Sequence, residues 1–135
     1  MKELTLPVSR TNIPAITEFI NRELERMDCD LKTMAQIDIA IDELYSNIAK
    51  YGFDDDGGEV TVTLEIESEP RVVSISFMDE GRPFNPLRKD DPDITLPARE
   101  RKIGGLGIYM VKKSMDDVRY EYREGKNILT IRKLL

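Results

Sequence analysis

The sequence predicts an α+β fold, a two-layer sandwich in which three helices cover one face of a mostly antiparallel, mixed sheet. Five segments show the alternation of apolar and polar residues that is typical of strands, and short turns join consecutive ones, which favours antiparallel pairing. Three further segments carry apolar residues at helical spacing, so each has one stripe to bury. The 135 residues suit a single domain with one core, and we assign residues 1–135 to it.

The first three elements are a strand and two helices. Residues 2–8 alternate weakly and predict a short strand at an edge of the sheet. Ser9, Thr11 or Asn12 can cap the helix that follows, with Pro14 in its first turn. Asp30 is expected to cap a second helix that runs from Leu31 to about Tyr51 and ends at Gly52. The apolar stripe of this second helix is formed by Met34, Ile37, Ile41, Leu44 and Ile48.

The second half of the chain predicts two strands, an irregular segment, a helix and a hairpin. Residues 60–66 and 73–79 alternate as half-buried strands. Residues 82–103 contain four prolines, many charges and no periodicity, which predicts either a lid or a plain surface loop. A third helix begins after Gly107, with a stripe that is formed by Ile108, Met110, Val111 and Met115. Residues 124–127 are expected to turn the closing hairpin.

Composition excludes several classes of function. The chain has no histidine, which removes His-based acid/base catalysis, Ser-His-Asp triads and most zinc enzymes. A net charge of −6 argues against direct nucleic-acid binding, because phosphate contacts need clustered Lys and Arg. The single Cys29 cannot form an internal disulfide, which suits a reducing compartment. Without an apolar signal core or spanning segment, we expect a cytoplasmic protein that does not enter a membrane.

Glu43 and Asn47 form the most informative pair in the sequence. They lie one helical turn apart, so both side chains leave the same face, about 40° from one another. A carboxylate can take a proton, and an amide oxygen can bind a hard cation such as Mg²⁺. The pair borders the apolar stripe, where the wall of a cleft would be. The alternative is that Glu43 is a solvated surface side chain, as we expect for its neighbour Asp42.

Two further motifs suit a nucleotide. In Asp79-Glu80-Gly81, a carboxylate at a strand end can accept a hydrogen bond from the adenine amine, and a glycine leaves room for the base; the alternative is a plain turn. In Gly104-Gly105-Leu106-Gly107, free N–H groups and a helix N-terminus suit phosphate; the alternative is a hinge without a ligand. The second motif is neither a Rossmann fingerprint, since Met110 stands where a third glycine is needed, nor a P-loop.

In their order and spacing these motifs resemble the GHKL ATPases, which share the Bergerat ATP-binding fold. Residues 43–47 are similar to that family's N box, Asp79-x-Gly81 to its first glycine box, and residues 105–107 to its second. Within the superfamily the chain is most similar to the serine/threonine kinases that act as anti-sigma factors. The segments 82–84, 104–111 and 115–118 carry that closer likeness.

The resemblance implies a role for each motif residue. Glu43 would be the general base, Asn47 the Mg²⁺ ligand and Asp79 the residue that selects the adenine of ATP. The remaining nucleotide contacts that it implies are Lys50, Gly81, Arg99, Arg101, Lys102, Gly104, Gly105, Leu106 and Gly107. Thr130 on the last strand would support the adenine through water.

The implied function is an ATP-dependent serine/threonine kinase that sequesters a sigma-factor-like client and phosphorylates a small antagonist protein. The resemblance also implies a homodimer. One departure concerns Tyr51, where members of the anti-sigma group often carry histidine; Lys50-Tyr51 is closer to a histidine-kinase N box. The absence of histidine excludes a complete histidine kinase. Two alternatives stay open: a non-catalytic ATP-gated switch, and an ATPase without a protein acceptor.

Overall fold

The computed structural model describes residues 1–53, 57–88 and 106–135. The strands are β1 (Lys2–Pro7), β2 (Glu59–Glu67), β3 (Val72–Asp79), β4 (Asp117–Arg123) and β5 (Lys126–Leu134). The helices are α1 (Ile13–Arg26), α2 (Leu31–Tyr51) and α3 (Leu106–Ser114), with short 3-10 helices at Arg10–Asn12 and Pro86–Arg88. The predicted α+β class and the order of the elements are confirmed.

The five strands form one sheet in the order β1-β2-β3-β5-β4. All four strand pairs among the described residues are antiparallel, so the predicted mixed character of the sheet is not observed there. β1 lies at one edge, as expected, and β4 at the other. The register places Asp79, the last residue of β3, between Val60 of β2 and Asn127 of β5.

The core lies between the sheet and the helical layer. Alternate residues of the central strands are buried, for example Val60 and Val62 on β2 and Val73, Ile75 and Phe77 on β3. The residues between them are less buried and project from the other face of the sheet. In the helical layer α2 contacts both α1 and α3. No helix in the described ranges is long and apolar enough to cross a membrane.

The ends of α2 are defined by the residues that the sequence indicated. Asp30 caps the helix, because its Oδ1 accepts a hydrogen bond of 2.7 Å from the backbone N–H of Thr33. Gly52 follows the last turn, and its N–H donates to the carbonyl of Ile48. Four residues of the predicted stripe are buried, and Met34 is half-buried. Burial of this stripe therefore places Glu43 and Asn47 at the edge of the core, beside the buried face of α2.

Two local predictions differ from the structure. Met110 was expected in the stripe of α3, but its side chain is 52% exposed while Ile108 and Val111 are buried. The closing hairpin has a turn of two residues, Glu124 (φ 56°) and Gly125 (φ 78°), instead of four. Two successive positive φ angles are typical of the tight turns that match the twist of paired strands. Lys126 and Asn127 therefore belong to β5.

Candidate active site

Glu43 and Asn47 are joined by hydrogen bonds on α2. The Nδ2 of Asn47 donates to the backbone carbonyl of Glu43 (2.7 Å) and to its carboxylate Oε1 (3.1 Å). Asn47 is only 7% exposed and Glu43 is half-buried, whereas Asp42 is exposed to solvent. The two residues that the spacing paired thus form one unit, in which the amide fixes the position of the carboxylate.

The carboxylate of Glu43 also lies directly against the first turn of α3. A Cβ atom added to Gly107 would overlap the carboxyl group of Glu43, so a larger residue would require the end of that side chain to move. A negative charge near a helix N-terminus is stabilised by the helix dipole. The structure therefore brings Gly107, the last residue of the glycine motif, against the Glu43–Asn47 pair, as a shared site requires. Leu106, which precedes Gly107, is half-exposed at 44%.

A cavity of about 230 Å³ opens beside this pair. It is lined by Arg10, Glu43, Ser46, Asn47, Lys50 and Tyr51. Lys50 is exposed, and its Nζ lies 5.1 Å from the centre of the Tyr51 ring. Arg10 was missed by sequence reasoning, because nothing in the sequence indicates that the turn after β1 reaches α2. Two cations therefore line the same cavity as the carboxylate, which suits a polyanionic ligand.

Asp79 is buried at the end of β3, with 5% of its surface exposed. Its Oδ1 accepts hydrogen bonds from the backbone N–H of Gly81 and from the Nδ2 of Asn127, both at 2.9 Å. Burial raises the pKa of the Asp79 carboxyl above its ordinary value, and these two hydrogen bonds act against that rise. A buried carboxylate held in this way is suited to accept a hydrogen bond from a ligand amine.

Gly81, which follows β3, packs closely against Gly52 at the end of α2. A Cβ at this position would lie 2.5 Å from the carbonyl oxygen of Gly52 and 3.1 Å from Oδ1 of Asp79. Neither atom is the flexible end of a long side chain, so a larger residue would force the backbone apart. The close approach of Gly52 and Gly81 therefore places the Asp79 motif at the same end of the molecule as the C-terminus of α2.

Asn127 is the buried residue of this region that sequence reasoning missed. Its position suggested a turn residue, but Asn127 lies on β5 directly opposite Asp79 and is 5% exposed. The signal was present, because Leu129 and Ile131 point into the core and Asn127 shares their alternation. With the turn limited to residues 124–125, the alternation would have predicted that Asn127 lies on the last strand and faces the core.

Thr130 is not brought to this region. Its hydroxyl lies 2.9 Å from the Oγ of Ser76, on the face of the sheet that points away from the helices. Side chains alternate between the two faces of a strand, so Thr130 and Asn127, three residues apart, project in opposite directions. The predicted contacts Arg99, Arg101, Lys102, Gly104 and Gly105 lie outside the described residues.

Two other cavities touch Asp79. One, lined by Ile48, Phe77, Phe84, Pro86, Tyr120, Asn127 and other residues, holds about 10 Å³, roughly the space of one water molecule. The other, of about 680 Å³, also includes Thr61 and Met78, which project from the open face of the sheet. Neither Glu43 nor Asn47 lines this larger cavity.

The fold, with a carboxylate and an amide on one helix and an aspartate at a strand end, is typical of a class of α+β ATPase domains. The chain belongs to the histidine kinase-like ATPase domain family, whose model matches residues 6–133. Among curated relatives it is similar to the serine-protein kinase RsbW of Bacillus cereus (strain ATCC 10987 / NRS 248). The two are 26% identical over 129 residues, which cover 94% of this chain and 81% of the relative.

Two solved structures show the same fold at 16% identity. The first contains the RsbU and RsbW domains of Rv1364c from Mycobacterium tuberculosis, with a TM-score of 0.68. It covers all of this chain, which in turn spans about a third (33%) of that longer chain. The second is the SiaB–SiaC complex from Pseudomonas aeruginosa, with a TM-score of 0.53 and coverage of 100% of this chain and 90% of the other.

Proposed function

We propose that this protein is an ATP-dependent serine/threonine protein kinase that acts as an anti-sigma regulatory factor. The observation that carries the proposal is the hydrogen-bonded pair of Glu43 and Asn47, set against Gly107 at the start of α3. A base, an amide and a helix N-terminus at one point are the parts that phosphoryl transfer needs. The family match and the likeness to a serine-protein kinase support the same assignment.

Asp79 is the residue that we propose for base recognition. Its buried carboxylate can accept a hydrogen bond from the exocyclic amine of adenine, whereas guanine offers a carbonyl at the matching position. A carbonyl facing a buried carboxylate would leave both oxygens without a donor, which costs free energy in a closed site. The site should therefore prefer ATP and ADP to GTP.

Asn47 is the residue that we propose as the Mg²⁺ ligand. Mg²⁺ commonly takes one or two protein oxygens and completes its shell with waters and phosphate oxygens. The pair of one amide and one carboxylate fits that pattern, and the described residues contain no group of three His, Cys, Asp or Glu side chains that could form a protein cage. Bound there, Mg²⁺ would neutralise charge on the phosphates. Lys50 and Arg10 line the same cavity and would add to that effect.

Glu43 would take the proton from the hydroxyl of an acceptor serine as that oxygen bonds to the γ-phosphorus. The bond between the γ-phosphorus and the β–γ bridging oxygen breaks, and ADP leaves with the electron pair. Glu43 carries a negative charge beside a polyanion, so nearby cations must offset the repulsion. We propose that Arg99, Arg101 and Lys102 help to do so when the segment 82–103 closes, and that Gly104 and Gly105 approach the phosphates through their backbone.

The partners in this proposal are a sigma-factor-like client and a small antagonist protein that carries the acceptor serine. The homodimer and the cytoplasmic location remain part of the proposal. The SiaB–SiaC complex, whose matched chain has a related fold, is an assembly with a protein partner and supports this kind of interaction. An ATP-gated switch is the second candidate, and one observation favours it: the Glu43 carboxylate is already held by Asn47 and by the first turn of α3.

The experiment that tests the kinase is a comparison of two neighbouring carboxylates. Glu43→Gln keeps the shape of the side chain and its bond from Asn47, but removes the base. Asp42→Asn is the matched control, since Asp42 is adjacent on α2 and exposed. Transfer of labelled phosphate from ATP to small proteins that co-purify with the wild type is measured. Glu43→Gln should lower the rate by roughly 10²–10⁴ and still bind ATP.

The control variant should transfer phosphate at the wild-type rate. If the wild type transfers none to any co-purifying protein but changes partners with ATP, the switch replaces the kinase. If labelled phosphate appears only as free phosphate, the protein is an ATPase without a protein acceptor. Equal transfer by the wild type and Glu43→Gln would show that Glu43 is not the base.

A further inference from the structure

We propose that Asn127 is a positioning residue that holds the Asp79 carboxylate and the beginning of the 82–103 segment as one rigid unit. We call residues 81–84, which follow Asp79 and open that segment, the lid root. The inference rests on the proposed role of Asp79 in base recognition. It is carried by the hydrogen bonds of one buried side chain.

The amide of Asn127 donates to three acceptors, one on strand β3 and two in the lid root. Its Nδ2 lies 2.9 Å from Oδ1 of Asp79 on β3. The same atom lies 2.9 Å from the carbonyl of Arg82 and 3.3 Å from that of Gly81, both in the lid root. An amide nitrogen carries two protons, so the two short bonds use both and the third is shared.

The carbonyl oxygen of Asn127 fixes the orientation of that amide. Oδ1 accepts a bond of 3.0 Å from the backbone N–H of Phe84 and a second, short bond from the hydroxyl of Tyr120. A flipped amide would turn its N–H₂ group toward the N–H of Phe84, where two donors would meet. The orientation in which Nδ2 faces Asp79 is therefore the one that satisfies every group.

This arrangement has a consequence for ligand recognition. Among the described residues, both hydrogen bonds to Asp79 end on Oδ1. Asn127 and Gly81 thus orient the carboxylate so that Oδ2 is the oxygen left for a ligand amine. Asn127 would set which oxygen meets the base without contacting the base itself.

The same side chain connects the two halves of the site. Phe84, held through its N–H by Asn127, places its ring 5.8 Å from the ring of Tyr51 at the end of α2. Tyr51 lines the cavity that also contains Glu43 and Asn47. A continuous series of contacts therefore runs from Asp79 through Asn127, Phe84 and Tyr51 to the proposed phosphate cavity.

Hydrogen exchange in the nucleotide-free protein tests the positioning role directly. Asn127→Thr keeps one donor and a β-branched side chain suited to a strand, but cannot bind Asp79 and the lid root together. We expect the amides of Gly81 and Phe84, whose N–H groups bond to Asp79 and Asn127, to exchange about tenfold faster, the value of one lost hydrogen bond. The amides of residues 73–78 of β3 should be unchanged. Ser76→Ala is the matched control, because it removes a cross-strand bond on the opposite face.

A second variant keeps the proposal testable if Asn127→Thr does not fold. Tyr120→Phe removes only the hydroxyl that orients Oδ1. It should speed exchange of the same two amides, those of Gly81 and Phe84, to a smaller extent. Exchange that stays at the wild-type rate in both variants, or that rises equally in β3 and the lid root, would overturn the positioning role.

Nucleotide affinity separates this inference from the proposed function. In Asn127→Thr the preference for ATP over GTP should fall about tenfold, and in Ser76→Ala it should not change. If the wild type binds no ATP, the proposed function fails, and exchange at the lid root still decides whether Asn127 positions it. If the wild type prefers ATP and Asn127→Thr keeps that preference in full, Asn127 does not orient Asp79.

Discussion

At the scale of single residues, the buried carboxylate of Asp79 links stability to pH. Its pKa in the folded state is raised by burial, so the folded protein binds a proton more tightly than the unfolded chain does. The stability that Asp79 contributes is therefore fully present below the unfolded pKa of about 4 and is lost as pH rises through the folded-state pKa. If Asp79 recognises the base as proposed, ATP binding should show the opposite trend and strengthen as pH rises, because the ionised carboxylate is the stronger hydrogen-bond acceptor for an amine.

Asp79→Asn tests both trends. We expect the difference in unfolding free energy, wild type minus variant, to fall as pH rises from about 4 toward neutrality, because the variant has no group to ionise. At neutral pH the variant should bind ATP more weakly by roughly 1–3 kcal/mol, the cost of a lost charged hydrogen bond. Denaturant unfolding and calorimetry at several pH values measure these quantities. A difference that does not change with pH would contradict the raised pKa.

The residues also show what a sequence can and cannot predict about a site. Glu43 and Asn47 were predictable because both lie on one helix, whose geometry places positions four apart together. Asn127 was not identified, because its role depends on which strand lies beside β3 and in which register. Arg10 was missed for a similar reason, since its proximity to α2 arises from the packing of the 3-10 turn.

At the scale of elements, the contact between α2 and α3 is set by the absence of a side chain at Gly107. Alanine stabilises a helix interior by roughly 1 kcal/mol relative to glycine, so Gly107→Ala would be stabilising if space were available. The overlap of its Cβ with the Glu43 carboxyl group reverses that expectation. We expect a net loss of about 1 kcal/mol in unfolding free energy, because the Glu43 side chain must move and give up its bond from Asn47.

Two matched variants assign that loss to the contact with Glu43. Met110→Ala, at an exposed position on the same helix, should change stability by less than about 0.5 kcal/mol. In a Glu43→Ala background, Gly107→Ala should become neutral or stabilising, since the clashing carboxyl group is gone. Denaturant unfolding of the wild type, the two single variants at positions 43 and 107 and the double variant completes this double-mutant cycle. Equal losses in both backgrounds would show that Glu43 does not lie against Gly107.

The segment 82–103 yields a prediction at the same scale. We expect cleavage by a protease within residues 82–103 to be slower with Mg-ATP than without it, because a bound nucleotide would give the segment phosphate contacts. Asp79→Asn, which should weaken binding, serves as the control and should show less protection at the same ATP concentration. Identical cleavage of the wild type with and without Mg-ATP would reject the lid and leave the surface-loop interpretation.

Element boundaries followed the local signals closely where capping and alternation were strong. Asp30 and Gly52 marked α2, and the alternation of β2 and β3 matched the buried pattern. The turn of the last hairpin was predicted two residues too long, because glycine and polar residues at 124–127 all suit a loop. Only the pairing of Arg123 with Lys126 shows where the strands end.

At the scale of the whole molecule, the class of fold was predictable and the strand order was not. Short turns between β2 and β3 and between β4 and β5 indicate hairpins from local sequence alone. The pairing of β3 with β5 joins the two halves of the chain across α3, and long-range packing decides it. That pairing places Asn127 beside Asp79. The least predictable feature of the fold therefore builds the part of the candidate site around Asp79.

The central claim is that Glu43, Asn47 and Asp79 belong to one Mg-ATP site, and calorimetry of nucleotide binding tests it most directly. The wild type should bind Mg-ATP and Mg-ADP with one nucleotide per chain and bind GTP at least about tenfold more weakly. EDTA should weaken ATP binding, and Asn47→Ala should lose most of that dependence on Mg²⁺, because the metal loses its protein oxygen. Equal affinity for ATP and GTP, or an unchanged effect of EDTA in Asn47→Ala, would contradict the account.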